Sequence, residues 1–252
     1  MLLPMLTSFA GAQLFGESYG TGVPAVLALH GWRRDHRDFA GVLSRPEPAV
    51  DSISIDLPGF GATPAPPEVW GSQQYARALV PVLDEMQSRV VVIGHSFGGR
   101  VAVHLAQMAP ERVAGLVLTA SPLFRAFDAR RRSPLSFRAV KRLAGLGLLS
   151  EQRLEQSRQR YGSADYKAAS GIIRDILVKL LAEDYREVLS KIECPVELVW
   201  GDDDRDVPLA VAEKVQGALR SHAHLVVCAG AGHLTPLTVP AELRSAIERL
   251  TP

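Results

Sequence analysis

Six short runs of nearly unbroken apolar residues set what this chain can fold into. They are Pro24–Leu29 (PAVLAL), Ser52–Asp56 (SISID), Val90–Ile93 (VVVI), Val113–Leu118 (VAGLVL), Val196–Trp200 (VELVW) and Leu225–Cys228 (LVVC). A strand with one wet face alternates apolar and polar residues, whereas a strand buried on both faces does not. Between the runs lie stretches with helical periodicity, near Gln73–Gln87, Gly98–Ala109, Leu209–Leu219 and Pro240–Leu250. Strands alternating with helices predict a mainly parallel sheet covered on both sides. Gln13–Tyr19 and PAVLAL read as an antiparallel lead-in joined by a turn at Gly20-Thr21-Gly22.

One segment breaks the alternation. Residues 121–190 contain no convincing strand, only helical stretches rich in Leu, Arg and Gln. About 70 residues is too long for a plain loop. The expected organisation is a core of residues 1–120 and 191–252, with a helical subdomain inserted at 121–190.

Composition matters here for what it excludes. A chain of 252 residues that is 47% hydrophobic can bury a core and is not a disordered segment. The net charge of +1 gives no general pull toward nucleic acid or an anionic membrane. The start, MLLPMLTSFAGA, is apolar but carries no Lys or Arg and is interrupted by Pro4, which speaks against a secretory leader. Cys194 and Cys228 are far apart and lie outside any metal-ligand pattern, as in a reduced, cytoplasmic protein. The expected partner is a small-molecule substrate, with no nucleic acid and no membrane, in a monomer or homodimer.

The chemistry concentrates at Gly94-His95-Ser96-Phe97-Gly98, directly after VVVI and at the start of a helix. This is G-x-S-x-G in strand–turn–helix context. Such a turn strains the serine backbone, and side chains at the flanking glycines would collide with strand and helix. It presents the Ser96 oxygen near a helix N-terminus that favours a developing negative charge.

A nucleophilic serine needs a base, and the base needs an orienting acid. Among the histidines, His233 follows Ala229-Gly230-Ala231-Gly232 just after the last strand, where a glycine-rich loop can return an imidazole over the sheet edge. His222 and His224 fall before or within that strand, and His104 sits two helical turns past Ser96 as a packed helix residue. The acid is sought after VELVW, where Asp202, Asp203, Asp204 and Asp206 crowd one turn. Any of the four can orient His233; Asp206 best suits capping of the helix beginning near Pro208, and an earlier one suits catalysis. A tetrahedral intermediate also needs two donors, here the amides of Phe97 and Trp32, the latter freed by Gly31. His30 is read as a structural residue, and Asp56–Gly61 (DLPGFG) as a tight turn.

These motifs resemble the α/β-hydrolase-fold family: Ser, Asp and His in that order, His30-Gly31 after the third strand, DLPGFG, and GHSFGG. The likeness runs through almost the whole chain. It implies an eight-stranded, mostly parallel sheet flanked by helices. The family's acid loop, Gly-x-x-Asp-x-x-(Val/Thr)-Pro, laid on Gly201–Pro208, selects Asp204. The resemblance thus implies Ser96 as nucleophile, His233 as base, Asp204 as orienter and the Trp32 and Phe97 amides as oxyanion donors, with no metal or organic cofactor. A serine at position 96 sets aside the branches that use an aspartate nucleophile.

The insertion at 121–190 corresponds to the family's cap, with 14 Lys/Arg against 8 Asp/Glu, and leaves the core at about −5. A solvated basic face is the simpler reading of Arg125, Arg130, Arg131, Arg132, Arg138, Lys141 and Arg142; recognition of a substrate carboxylate or phosphate is the other. Phe124, Phe127 and Arg125 are the candidate pocket residues. The implied activity is serine hydrolysis of a small ester, thioester, lactone or related carbonyl compound. The alternatives on the same fold are a carbon–carbon bond hydrolase for a carboxylate-bearing diketone, a cofactor-free perhydrolase and a non-catalytic ligand receptor.

Overall fold

A computed structural model describes residues 6–44, 50–124 and 164–251. The strands are β1 (Leu6–Phe9), β2 (Leu14–Tyr19), β3 (Val26–Leu29), β4 (Ser52–Asp56), β5 (Val90–His95), β6 (Val113–Thr119), β7 (Val196–Gly201) and β8 (Ala223–Cys228). The helices are α1 (Ala40–Leu43), α2 (Ser72–Glu85), α3 (Phe97–Met108), α4 (Ala164–Ala168), α5 (Gly171–Ala182), α6 (Arg186–Leu189), α7 (Leu209–Leu219), α8 (Thr235–Thr238) and α9 (Pro240–Leu250). One eight-stranded sheet runs in the order β1-β2-β4-β3-β5-β6-β7-β8. Its β1–β2 and β2–β4 pairs are antiparallel and the remainder are parallel.

The unbroken apolar runs have the expected cause. Leu27 and Leu29 of β3 pack on one face with Tyr75, Leu79 and Val101 of α2 and α3. Their neighbours Val26 and Ala28 pack on the other with Phe39, Leu243 and Ile247. Val90 and Val92 divide from Val91 and Ile93 in the same way, as do Leu198 and Trp200 from Val199. Successive side chains point to opposite faces, so a strand covered twice needs an apolar residue at every position. Each fully buried Leu or Val contributes roughly 1.5–3 kcal/mol relative to exposure. Trp200, buried completely, still satisfies its indole by donating Nε1–H to the Val207 carbonyl at 2.8 Å.

The lead-in differs from expectation. β2 pairs antiparallel with β4, Phe15 facing Asp56 and Tyr19 facing Ser52, and not with β3. β4 lies between them, parallel to β3. Gly20-Thr21-Gly22 is therefore the start of a crossing and not a hairpin turn. The crossing is pinned by Asp51, whose Oδ1 accepts the Gly22 amide at 2.7 Å and whose carbonyl accepts the Ala25 amide at 2.7 Å. Gly20 has φ +90, and a Cβ there would run into the Asp51 carboxylate. Part of the apolar N-terminal stretch becomes the edge strand β1, a four-residue element with no separate sequence signal.

Within 121–190, Arg125, Phe127 and the arginine-rich stretch 130–142 lie outside the described residues. Of the described part, α5, α6 and the link between them pack against the ends of α2 and α3 and the DLPGFG turn. Ile173 of α5 abuts Gly59. Glu183 accepts the Ser72 amide at 3.0 Å and the Ser72 and Tyr185 hydroxyls at 2.6 Å each. Arg100 donates to the Leu180 carbonyl at 2.9 Å.

Candidate active site

Ser96 sits between β5 and α3 with φ 50 and ψ −110, a region that costs an L-residue strain and persists only when its surroundings enforce it. The enforcement is steric. A Cβ on Gly94 would lie 2.6 Å from the Gly99 Cα, and one on Gly98 would penetrate the Leu29 carbonyl. The Ser96 amide donates to the Thr119 carbonyl at 2.9 Å, anchoring the turn to β6. The hydroxyl is thus held at the C-terminal edge of the sheet beside the first turn of α3.

His233 arrives there from the loop after β8. Its Nε2 is 3.1 Å from Ser96 Oγ, and its Nδ1 is 2.9 Å from Asp204 Oδ2. The carboxylate can only accept, so Nδ1 carries the hydrogen, and Nε2 is left with a lone pair facing the serine hydroxyl. Asp204 is buried, and its other oxygen accepts the amides of Asp206 (2.9 Å) and Val207 (2.8 Å).

The neighbouring aspartates do other things. Asp202 accepts the Gly230 amide at 2.7 Å, and Asp203 is exposed beside Arg205. The expectation that Asp206 caps the following helix is not met: α7 has Pro208 at its N-cap and no side-chain cap bond. Asp206 instead brings a carboxylate oxygen within 4.8 Å of the ligand-type atoms of Asp204 and His233. These three, and Asp35, His36 and Asp56, are the groups among the described residues compact enough to hold a metal ion. In the second group, however, Asp56 is already committed to His36 and to the Ala62 amide.

His30, His104 and His224 fall where expected. His30 is buried, donates from Nδ1 to the Gly31 carbonyl (2.7 Å) and accepts the Leu57 amide on Nε2 (2.9 Å), tying β3 to the DLPGFG turn. Burial pushes its pKa down, so it serves as a neutral strut. His104 packs against Tyr185, and His224 pairs with Glu197. Trp32 lies just beyond β3, its ring edge-on to Phe60 (4.9 Å) and Phe97 (5.5 Å), and Tyr75 meets Phe97 at 5.0 Å. Phe60 and Tyr75 were not expected at the site. The Phe in DLPGFG was a signal in hindsight, but a turn residue facing inward cannot be told from one facing out. Phe124 is half-buried against the main core.

His95 occupies the variable position of the G-x-S-x-G motif. Buried inside the turn, it donates from Nε2 to the His233 carbonyl at 2.9 Å. Burial, with the neighbouring His233 imidazole second, lowers its pKa to about 4. An unfolded chain binds a proton at this position below about pH 6.5, whereas the folded site resists it until about pH 4. Between those values the unfolded state holds more protons. Stability therefore falls as pH drops, by about 1.4 kcal/mol per unit and about 3 kcal/mol in all. In urea unfolding from pH 7 to 4, wild type should lose about that much more stability than His95→Gln. Equal losses would show that His95 titrates normally.

Among the described residues no helix is long and apolar enough to cross a membrane. A model described as the alpha/beta hydrolase family matches residues 26–246. The chain is 30% identical to the biotin biosynthesis bifunctional protein of Cellvibrio japonicus over 89% of its own length, and spans 47% of that protein. It is 28% identical to the pimeloyl-[acyl-carrier protein] methyl ester esterase of Sodalis glossinidius, covering 93% of the chain and 96% of the esterase. A bromoperoxidase from Bacillus anthracis, 21% identical, superposes with a TM-score of 0.72 over 98% of this chain and 99% of its own, a likeness of fold. Ordered sheet, strained serine turn and family match agree: the chain belongs to the alpha/beta hydrolase family.

Proposed function

We propose that this hydrolase cleaves a small carboxylic ester or thioester through Ser96, His233 and Asp204. The observation that carries the reading is the unbroken hydrogen-bonded line from Ser96 Oγ through both nitrogens of His233 to a buried carboxylate. His233 Nε2 takes the Ser96 proton as Oγ attacks the carbonyl carbon. The oxyanion is received by the Trp32 and Phe97 amides, and Asp204 stabilises the imidazolium. His233 then protonates the departing alkoxide or thiolate. In the second half, it takes a proton from the water that attacks the acyl carbon, and returns it to Ser96 Oγ as the intermediate collapses, releasing the acid and restoring the serine hydroxyl.

The aromatic rings beside Ser96 support an apolar acyl or alcohol group in the substrate. The insertion at 121–190 is assigned as the cap that roofs the site, a reading supported by the seating of α5 against Gly59 in the DLPGFG turn. The free thiols Cys194 and Cys228 are in keeping with a reducing, cytoplasmic setting. Esterases among the relatives act on a methyl ester carried by a protein, so the natural substrate class extends to carrier-linked esters.

The test joins labelling to a substrate panel. A fluorophosphonate should add once per chain, and peptide mapping should place the adduct on Ser96. Aryl esters of increasing acyl length, with and without a terminal carboxylate, and a pimeloyl methyl ester on acyl carrier protein should then define the preference. Labelling elsewhere, or no turnover of any ester by a labelled-competent enzyme, would reject the reading.

A further inference from the structure

We infer that Thr119 is a positioning residue that ties the nucleophile, base and acid segments to one point, an inference that rests on the assignment of Ser96, His233 and Asp204. Thr119 ends β6 and is completely buried. Its carbonyl accepts the Ser96 amide at 2.9 Å. Its hydroxyl donates to the Val199 carbonyl at 2.6 Å, on the strand that leads into Asp204. That donation uses its only proton. The 2.7 Å contact between Thr119 Oγ1 and Thr235 Oγ1 therefore has Thr235 as donor. Thr235 is itself completely buried and opens α8, two residues after His233.

One strand-end residue is thus bonded to all three segments. The sheet does not require this: β6 and β7 already pair through their backbones, with Thr119 facing Val199. The hydroxyl adds the base segment, which α8, only four residues long, does little to hold by itself. A further tie on that segment is the His95 bond to the His233 carbonyl. With the threonine pair removed, the segment around His233 keeps the His95 bond and, upstream, the Asp203 amide on the Ala231 carbonyl, and the 3.1 Å Ser96–His233 approach loosens. Misplacements near 1 Å cost on the order of 100-fold in rate.

The decisive variant is Thr119→Val/Thr235→Val, which deletes both hydroxyls and keeps the side-chain shape. Both partners of the Thr119–Thr235 bond go together, which is milder for stability than removing one, and the remaining cost is the Thr119 donation lost by the Val199 carbonyl. Its kcat on an aryl ester should fall about 10- to 100-fold, with KM within about twofold and fluorophosphonate labelling of Ser96 slowed in parallel. Thr119→Ser and Thr235→Ser, which keep the hydroxyls, should stay within about threefold of wild type. A double valine variant that turns over like wild type overturns the inference, and so does an equal loss in the serine variants. If the double variant does not fold, Thr235→Val against Thr235→Ser makes the same comparison. Ser96→Ala separates the two layers: turnover retained there removes the assignment of Ser96 and this inference with it. An inert Ser96→Ala beside a fully active double valine variant removes the positioning role alone.

Discussion

Ser96→Ala should lower kcat for an activated aryl ester by roughly 10⁴- to 10⁶-fold, with little change in thermal stability. On the proposed mechanism the kinetic loss follows from deleting the attacking oxygen, leaving water to react in the site. The stability expectation follows from geometry. Alanine keeps the Cβ of serine, so the strained backbone at φ 50 is neither relieved nor worsened, and the amide bond to Thr119 is untouched. Only the half-buried hydroxyl contact with His233 disappears. Turnover assays paired with a thermal melt check both halves. A variant that keeps more than a few percent of wild-type kcat would remove Ser96 from the mechanism.

Asp204→Asn should cost about 10³- to 10⁴-fold in kcat, and Asp203→Asn less than about twofold. The reason is a tautomer. Two backbone amides, from Asp206 and Val207, donate to Oδ1 of Asp204. An asparagine satisfies them only by placing its oxygen there, which turns its NH2 toward His233. Donor would then face donor unless the imidazole moves its hydrogen to Nε2. That hydrogen points at Ser96 and abolishes the base. Asp203 faces solvent beside Arg205 and orients nothing in the site. Parallel kcat measurements on the two variants decide the matter, and similar mild losses in both would show that another acid serves His233.

Much of this was legible in the sequence because the determining physics is local. VVVI followed by Gly94-His95-Ser96-Phe97-Gly98 specifies a strand, a strained turn and a helix, since only glycine clears the Gly99 and Leu29 backbones. The two-faced burial of β3, β5, β6 and β7 was readable for the same reason. What escaped depends on partners distant in the chain. The placement of β4 between β2 and β3 is decided by which strand Gln13–Tyr19 meets, and its own residues do not encode that. Asp204 was separable from its neighbours only by a family pattern, because four aspartates in one turn look alike until the Val207 amide chooses one. Thr119 and Thr235 carry no motif, and His95 fills only the variable position of one. Their roles exist only once β5, β6 and the loop after β8 share one edge.

The turn between β7 and α7 is closed by a short relay: the Trp200 indole holds the Val207 carbonyl, and the Val207 amide holds Asp204. Asp204 is therefore not a side chain mounted on a loop but a stitch in the loop's own closure, made fast to the most deeply buried tryptophan of the core. Any transplant of this acid into another scaffold would have to carry the span from Trp200 to Val207 as one cassette. Conversely, a substitution at Trp200, wholly buried in the core, should be felt in turnover as well as in stability.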